Sequence, residues 1–412
     1  MVSGLCFVRK YWFGVFFVQL CFVAGVAGQS NVQHANSYNL FNFSQSDRIV
    51  FVGNSLLEEA GNYGILEWMF MSAWPGKDLT FRNLGWSGDT ADGKARSYIS
   101  RPPEPYELLI QQIDTLDPAL VVIGYGGVEA YEGESGVEEF GKNLGRLIAD
   151  IDSLGAESIV LSTIPQVVGR DLPIDVTDRN THLEIYSNRI REVADKYNKK
   201  YVDLYSVMSS LGNEAYTTDG IHLNGKGYFT MGERILGVLG YTLPEWELRI
   251  DAKEGKVGSS SGVEVFMNTI DRTEIDLNLQ SKAHPVMVAG ENVLKRRIIV
   301  EGLKKGIYNL SIDGEHVLAC TSSDFTEGVV IRQGPAMDMA RDIQTKYKEI
   351  NDLYFWEYRP LNRTYLVGFR RYEQGQNSYE LAVNSIFIDR LEEKIFQEKN
   401  RAPETLRITR IK

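Results

Sequence analysis

Ser55 has the residue type and the position of a catalytic nucleophile. It ends the segment Val-Gly-Asn-Ser, where an apolar, strand-like run passes directly into an amphipathic helical pattern. A serine at such a junction is exposed yet rigidly held, and its backbone N–H lies near a helix N-terminus, where partial positive charge can stabilise an oxyanion. The alternative for this serine alone is an ordinary helix N-cap, a position that serine favours.

His222 is the histidine best placed to act as the base that a serine nucleophile needs. It stands in a Gly-rich segment, Thr-Thr-Asp-Gly-Ile-His-Leu-Asn-Gly-Lys-Gly-Tyr, between the fifth predicted strand and the last predicted helix. Asp219 lies three residues before it, and Gly220 between them lets the loop fold back, so the carboxylate can reach the imidazole Nδ1 and fix its tautomer. The remaining histidines are expected in a linker, on the surface or beside turns: His34, His182, His284 and His316.

The apolar pattern predicts the elements that position these residues. From 46 to about 241, short apolar strands alternate with helical segments, which predicts a three-layer, flavodoxin-like α/β domain with a parallel five-stranded sheet. Ligands of such sheets bind at the carboxyl ends of the strands, and Ser55 lies at the carboxyl end of the first strand. The strands are predicted at 48–53, 79–85, 118–126, 157–165 and 200–206, and the helices at 56–73, 104–115, 136–154, 181–197 and 228–239.

After about residue 245 the pattern changes to short alternating strands with Gly or Asp turns. These strands predict a small antiparallel unit, and two helices are expected to follow, at 335–353 and 384–399. Residues 245–412 are therefore predicted to form a smaller β-rich and helical region. Between its two helices lie Arg359, Arg370 and Arg371, which could contact an anionic sugar or form ion pairs between the two regions.

The N-terminal residues predict export. Arg9 and Lys10 precede a long apolar run that ends in the small residues Val26–Gly28, the pattern of a secretory signal peptide. We interpret 1–28 as that signal and 29–45 as a polar linker. An uncleaved membrane anchor is the alternative, because the apolar run approaches the length of a membrane span. The expected location is secreted or periplasmic, without stable membrane association after cleavage.

Charge and cysteine content disfavour several classes of partner and cofactor. The formal net charge is −11, and removal of 1–28 takes away two basic residues and no acidic one, which gives −11 − 2 = −13. So acidic a chain argues against nucleic acid or anionic lipid as a partner. Only Cys320 remains after the signal, so neither an intramolecular disulfide nor a Cys-rich zinc site is expected. A metal site built from Asp89, Asp92, Asp219 and His222 is conceivable, but we predict no cofactor.

Three segments together resemble the SGNH/GDSL hydrolase superfamily, in the order in which that family places its motifs. They are Val-Gly-Asn-Ser at 52–55, Asn-Leu-Gly-Trp-Ser-Gly-Asp-Thr at 83–90 and Thr-Asp-Gly-Ile-His at 218–222. The resemblance covers roughly 46–241, and the C-terminal extension is similar to that of a secreted bacterial subgroup. It implies Ser55 as the nucleophile, His222 as the base, Asp219 as the partner of the base, and the backbone N–H groups of Ser55 and Gly88 as oxyanion donors.

Two positions depart from the family pattern. Asn54 stands where the family usually has an isosteric aspartate. In Gly-Tyr-Gly-Gly-Val-Glu after the third strand, Glu129 takes the acidic place, but Val128 replaces an asparagine whose side chain donates to the oxyanion. Loss of one such donor typically costs roughly 100- to 1,000-fold in rate. We therefore expect a weakened oxyanion hole, unless the hydroxyl of Tyr125 or Tyr131 replaces the lost donor.

The resemblance implies a secreted serine esterase that hydrolyses carboxylic esters by acyl transfer. Export, an acidic surface and the β-rich extension lead us to expect a small ester or O-acetyl groups on a polysaccharide as substrate. Trp86, Tyr125 and Tyr131 are the expected substrate-binding residues, although aromatic side chains in such loops more often pack. The alternative is a catalytically impaired relative that binds glycan or cell wall. Retention of all three candidate catalytic residues favours the enzyme, whereas Val128 favours the binding protein.

Overall fold

The computed structural model describes residues 40–96, 104–168, 174–212, 216–282, 284–359, 378–400 and 403–412. The predicted signal peptide and most of the predicted linker lie outside these ranges, as do Arg370 and Arg371. The described part of Tyr38–Lys412 packs as one compact unit. The predicted boundary between 46–241 and 245–412 therefore stays a prediction.

A parallel sheet forms the centre of the region 46–241. Its neighbouring strands are all parallel, in the order β2-β1-β3-β4-β5, which is the flavodoxin-like order and confirms the predicted fold class. Every residue of β3 is buried. This is expected for an apolar strand of a parallel sheet, because helices cover both faces of such a sheet. The strands are β1 Arg48–Gly53, β2 Thr80–Asn83, β3 Leu120–Gly124, β4 Glu157–Leu161 and β5 Lys200–Val202.

Helices flank this sheet. In the described part of the region they are α1 Ser55–Glu58, α2 Ile65–Ala73, α3 Pro105–Thr115, α4 Val137–Ser153, α5 Thr177–Lys196, α6 Leu204–Ser209 and α7 Gly225–Val238. Helix α2 packs beside α7, and α4 packs between α3 and α5. The buried side chains of α4 include Phe140, Leu144 and Ile148, whose spacing of about one helical turn gives the helix a single apolar face.

The single helix predicted over 56–73 is wrong, because glycine interrupts it. Helix α1 continues as a 3₁₀ turn at Glu59–Asn62, and α2 starts only after Gly64, whose φ of 62° lies in the left-handed region. A Cβ on Gly64 would lie 2.3 Å from the carbonyl oxygen of Gln344 in the C-terminal region. Glycine here therefore permits both the break in the helix and the close approach of a distant segment.

The fifth predicted strand is also shorter than expected. Strand β5 ends at Val202, and the remainder of the predicted strand enters α6. Asp203 causes the change, since its side chain caps α6 by accepting a hydrogen bond from the backbone N–H of Ser206 at 3.0 Å. Helix α5 likewise begins at Thr177 rather than at 181.

The C-terminal region contains two larger sheets among its described residues, instead of one antiparallel unit. One sheet has the order β15-β12-β6-β7, in which β12 runs parallel to β6, and the other has the order β14-β13-β16-β9-β8. The strands are β6 Trp246–Asp251, β7 Lys256–Ser261, β8 Val263–Ile270, β9 Glu274–Ser281, β10 Met287–Val288, β11 Glu291–Asn292, β12 Arg296–Glu301, β13 Ile307–Ile312, β14 Glu315–Thr321, β15 Val329–Ile331 and β16 Glu404–Arg410. The helices are α8 Ser322–Glu327, α9 Pro335–Tyr358 and α10 Ser378–Lys399.

Helices α9 and α10 attach the C-terminal region to the α/β domain. Helix α9 packs against α2 and against the edge strand β2. Asn351 of α9 donates to Glu67 Oε1 of α2 at 2.7 Å. Arg82 of β2 pairs with Glu392 of α10 at 2.6 Å, with little of either side chain exposed. The two regions therefore share a packed interface that contains buried charge.

Glu67 should make the stability of this interface depend on pH. Its side chain is 2% exposed, and burial raises the pKa of Glu67 to about 7, although the hydrogen bond from Asn351 lowers it. The folded state therefore favours the protonated acid. The stabilisation of the folded state by protonated Glu67 is complete below pH 4.5, the ordinary pKa of a glutamate. It is lost as the pH rises to about 7. We expect the free energy of unfolding to fall by on the order of 3 kcal/mol across that range.

The variant Glu67→Gln should reduce this dependence, because the amide still accepts from Asn351 and does not ionise. Chemical denaturation between about pH 5 and about pH 8 measures it. At the upper end of this pH range, we expect Glu67→Gln to have a larger free energy of unfolding than wild type. The exposed control Glu349→Gln, on the outer side of α9, should keep the wild-type slope. A wild-type slope in Glu67→Gln would contradict the assignment.

Candidate active site

The carboxyl edge of the central sheet brings Ser55 and His222 to one pocket. Strand order reverses between β1 and β3, which opens a crevice at that edge. A Cβ on Gly53 would lie 2.5 Å from the carbonyl oxygen of Gly124, so glycine lets the ends of the two strands approach. The pocket has a volume of about 130 Å³. Its described lining includes Ser55, Tyr125, Val128, Tyr131, Arg179 and His222.

Ser55 begins α1 but does not cap it. The N-cap is Asn54, whose Oδ1 accepts from the backbone N–H of Leu56 at 3.0 Å. The Ser55 hydroxyl is therefore not needed to satisfy the helix terminus, and the alternative of a purely capping serine loses its support. The residue type that departs from the family pattern, Asn54, performs the capping instead.

Asp219 and His222 form a close pair in the turn before α7. The Nδ1 of His222 lies 2.7 Å from Asp219 Oδ2. The other carboxylate oxygen accepts from the backbone N–H groups of Ile221 at 2.9 Å and His222 at 2.8 Å. Gly220 has a φ of 95°, the left-handed conformation that this tight turn requires. With Nδ1 held by the carboxylate, Nε2 is the nitrogen that can take up a proton from a nucleophile.

The electrostatics of Asp219 suit an orienting carboxylate. Burial acts to raise its pKa, but the hydrogen bonds from the backbone and ring of His222 and from the backbone of Ile221 prevail and lower the pKa of Asp219 to about 2. The carboxylate is therefore ionised at any ordinary working pH. An ionised carboxylate at this position stabilises an imidazolium that forms during a reaction.

The loop that carries Gly88 does not contribute to the described lining of the pocket. Gly88 is exposed and has a φ of 79°, and both Gly88 and Trp86 lie outside the described lining. The Trp86 ring packs against guanidinium groups, with Arg359 at 4.0 Å and Arg96 at 5.1 Å from its centroid. Arg359 also pairs with Glu58 at 3.0 Å, an ion pair between the two regions. Trp86 is thus placed as a packing residue.

A buried ion pair anchors this loop. Asp89 and Arg96 are both 0% exposed, and Arg96 Nε donates to Asp89 Oδ2 at 2.9 Å. The hydroxyl of Tyr125 donates to the same oxygen at 2.9 Å. Burial raises the pKa of Tyr125 well above its ordinary value, and Asp89 acts in the same direction, so the phenol keeps its proton. Because the Tyr125 hydroxyl donates this proton to Asp89, it cannot replace the oxyanion donor that the side chain of Val128 lacks.

Glu129 connects the second and third motif segments. Its Oε1 accepts from the backbone N–H of Ala91 at 2.9 Å, and its Oε2 accepts from that of Gly126 at 2.9 Å. Burial raises the pKa of Glu129 to about 7, while these two hydrogen bonds lower it. The acidic residue of the third motif therefore holds two loops together beside the pocket.

Removing the carboxylate of Asp89 should strongly destabilise the protein. In Asp89→Ala the guanidinium of Arg96 stays buried without its partner, and breaking a buried pair in this way typically costs roughly 3–5 kcal/mol. Chemical denaturation measures the loss. The control is Asp338→Ala, which removes an exposed partner of Arg341 and should cost less than about 1 kcal/mol. Equal losses in the two variants would show that the buried pair does not anchor the loop.

Arg179 is a charged pocket residue that the sequence analysis missed. It lies in the first turn of α5, just before the predicted start of that helix at 181. Its Nη2 donates to the carbonyl oxygen of Gly127, and its guanidinium stacks on the Tyr131 ring at 3.6 Å from the centroid. Tyr131 itself is 71% exposed. No sequence motif marks this arginine, because its contacts join segments that are far apart in the chain.

The four side chains of the conceivable metal site are paired with protein groups, and Asp92 accepts from Thr90 and pairs with Lys94. Asp89 binds Arg96 and Tyr125, and Asp219 binds His222. Within the described ranges, no group of three or more His, Cys, Asp or Glu side chains is arranged to hold a metal ion.

Residues 51–228 match the model of the GDSL-like lipase/acylhydrolase family. The α/β domain is a GDSL-like lipase/acylhydrolase domain. The match contains Ser55, Asp219 and His222, and it confirms the resemblance to SGNH/GDSL hydrolases. The reaction class of this domain is the hydrolysis of acyl esters.

Several solved structures are similar to this chain at low sequence identity. A gut microbial diltiazem-metabolizing enzyme is 15% identical with a TM-score of 0.67, over 91% of this chain and 100% of that one. An acetylxylan esterase from Geobacillus stearothermophilus is 17% identical with a TM-score of 0.38, over 47% and 94%. A lipase/acylhydrolase from Enterococcus faecalis is 21% identical with a TM-score of 0.37, over 47% and 95%. No curated protein matches the sequence.

Proposed function

We propose that the chain is an exported serine esterase in which Ser55, His222 and Asp219 form a catalytic triad. The observation that carries this proposal is the close Asp219–His222 pair, 2.7 Å apart, in a turn whose histidine lines the same pocket as Ser55. A pocket residue with a hydroxyl, a base and an ionised orienting acid are the three groups that nucleophilic ester hydrolysis requires.

The proposed reaction has two acyl-transfer steps. His222 Nε2 takes the proton of the Ser55 hydroxyl while the serine oxygen attacks the ester carbonyl and forms a tetrahedral oxyanion. Collapse of this intermediate breaks the bond to the alcohol, which leaves with the proton from His222. Water then attacks the acyl-serine with His222 as base, and the acid is released as Ser55 regains its proton. Asp219 stabilises the imidazolium in both steps.

The backbone N–H groups of Ser55 and Gly88 are the proposed oxyanion donors. The positive φ of Gly88 is compatible with an N–H that turns toward the site. Because the side chain of Val128 has no hydrogen-bond donor, these two backbone groups alone would form a weakened oxyanion hole.

The size of the pocket favours a short acyl group. A volume of about 130 Å³ suits an acetyl or similarly small acyl chain better than a lipid chain. We therefore propose O-acetyl esters, either on a polysaccharide or on a small molecule, as the substrate class. The diltiazem-metabolizing activity named for the structural neighbour supports a test of small-molecule esters as well.

Export is the second part of the proposal, and it rests on the signal-like pattern of 1–28. In the part of the chain that the structure describes, no helix is long and apolar enough to span a bilayer. The mature protein is proposed to be secreted or periplasmic.

A catalytically impaired protein that binds glycan or cell wall is the second candidate. Val128 favours it, as does the position of Gly88 outside the described lining of the pocket.

Ester turnover separates the two candidates. The chain from 29 to 412 would be assayed on p-nitrophenyl acetate, p-nitrophenyl palmitate, acetylated xylan and diltiazem, with Ser55→Ala as the baseline. We expect acetate esters to be hydrolysed well above the baseline and the palmitate ester poorly. Wild-type rates equal to Ser55→Ala on every ester, together with retention on acetylated xylan in affinity electrophoresis, would favour the binding protein.

A further inference from the structure

The pocket needs an oxyanion donor that neither Val128 nor Tyr125 can supply. Val128 lines the pocket with an apolar side chain. The hydroxyl of Tyr125 is committed to Asp89 at 2.9 Å. This question rests on the proposed function, since an oxyanion forms only if the site hydrolyses an ester. Tyr131 and Arg179 are among the other lining residues that carry a side-chain donor. Tyr131 is 71% exposed, whereas the donors of Arg179 carry charge.

Arg179 is fixed beside the position of the lost donor. Its Nη2 donates to the carbonyl oxygen of Gly127, the residue directly before Val128. The Tyr131 ring lies against the guanidinium at 3.6 Å, which holds the plane of the group by a cation–π contact. Both Arg179 and Ser55 line the pocket. One edge of the guanidinium is thus anchored by backbone, one face is supported by an aromatic ring, and the remaining donors are left for another acceptor.

Two donor atoms of Arg179 have no hydrogen-bond partner of good geometry, although the Tyr131 side chain interacts with the guanidinium. Its Nε and Nη1 are buried and make no hydrogen bond. A buried donor without an acceptor is destabilising, and more so when it carries charge. None of the described lining residues is Asp or Glu, so nothing in the pocket neutralises the guanidinium. An arginine kept in this state suits a ligand that becomes negative in the pocket.

We infer that Arg179 supplies the oxyanion donor that Val128 lacks. As the serine oxygen attacks, the ester carbonyl oxygen gains negative charge, and a guanidinium N–H donates to it. A charged donor makes a stronger hydrogen bond to an anion than an asparagine amide does. The contact strengthens as the charge develops, so it acts mainly on the transition state.

A mutant cycle with a neutral ester tests this role. The set is wild type, Arg179→Gln, Val128→Asn and the double variant, assayed on p-nitrophenyl acetate. We expect Arg179→Gln to lower kcat roughly 100-fold while KM changes by less than about threefold. Val128→Asn should then restore at least about tenfold in the Arg179→Gln background and have little effect in wild type. Arg191→Gln, an exposed arginine on the same helix that pairs with Asp203, is the matched control and should leave kcat unchanged.

A transition-state mimic and a conservative variant distinguish loss of oxyanion stabilisation from a general disturbance of the structure. Inhibition by a boronic acid, which forms a tetrahedral adduct on a serine, should weaken in Arg179→Gln by about the factor lost in kcat. Arg179→Lys keeps the charge but not the planar fork, and it should show an intermediate kcat. Thermal unfolding of both variants checks that each is folded.

Several results would overturn the inference. They are an unchanged kcat in Arg179→Gln, a change confined to KM, or an equal gain from Val128→Asn in both backgrounds. A change confined to KM would make Arg179 a substrate anchor instead. If wild type hydrolyses esters and Arg179→Gln is equally fast, only this inference fails. If no member of the cycle exceeds Ser55→Ala, both the inference and the proposed function fail. Activity in Val128→Asn alone would show that Arg179 does not replace the donor.

Discussion

His222→Ala should lower kcat on p-nitrophenyl acetate roughly 10⁵- to 10⁶-fold, to the level of Ser55→Ala. Without the imidazole, no group in the described pocket can accept the serine proton, since its lining contains no Asp or Glu. The two residues act on one proton, so their effects should not add. The double variant Ser55→Ala/His222→Ala should therefore be no slower than either single variant. Initial rates, measured with enough enzyme to detect the residual turnover, provide the comparison.

His316→Ala is the control for this experiment. His316 is exposed on β14 and contacts Asn309, so its loss should leave kcat unchanged. A His222→Ala variant that keeps more than about a hundredth of the wild-type kcat would contradict the assignment of the base. So would a double variant that is much slower than both single variants.

Asp219→Asn should lower kcat roughly 1,000- to 10,000-fold, because an amide neither holds the catalytic tautomer nor stabilises the imidazolium. The change should leave KM close to wild type. Since the pKa of Asp219 is about 2, its ionised form is present throughout the working range, and the activity should show no acid limb from this group. The stabilisation from its pairing is present above the ordinary value of 3.8 and is lost only as the pH falls through about 2.

Asp271→Asn is the matched control for Asp219→Asn. Asp271 accepts from the backbone N–H groups of Thr273 and Glu274 in a turn, as Asp219 does from its own turn, but it has no histidine partner among its hydrogen bonds. Its loss should leave kcat unchanged. An Asp219→Asn variant within a few-fold of wild type would show that the carboxylate only shapes the turn.

The core strands were predictable from the sequence because their signal is local. Strands β1 and β3 are uninterrupted apolar runs, and burial on both faces of a parallel sheet demands such runs. The helix break at Gly64 was not predictable, since it depends on the approach of Gln344 from far along the chain. The same holds for β16, which pairs with β9 and β13. Pairing between such distant segments leaves no periodic signal in either of them.

In the candidate site, too, local features were predictable from the sequence and contacts between distant segments were not. The Asp219–His222 pair lies within one turn, so spacing and one glycine were enough to predict it. The hydrogen bond of Tyr125 to Asp89 and the contact of Arg179 with Gly127 join loops that only the folded sheet brings together. Sequence alone could therefore name Ser55 and His222 as candidates, but not Arg179, which lines the same pocket.

Covalent labelling shows directly whether Ser55 is a nucleophile activated by His222. Wild type, Ser55→Ala and His222→Ala would be treated with a fluorophosphonate, which reacts with activated serines, and the modified peptide would be mapped by mass spectrometry. We expect an adduct on Ser55 in wild type, none in Ser55→Ala, and labelling slowed by several orders of magnitude in His222→Ala. Labelling of Ser55 at the wild-type rate without His222, or no labelling of wild type at Ser55, would contradict it.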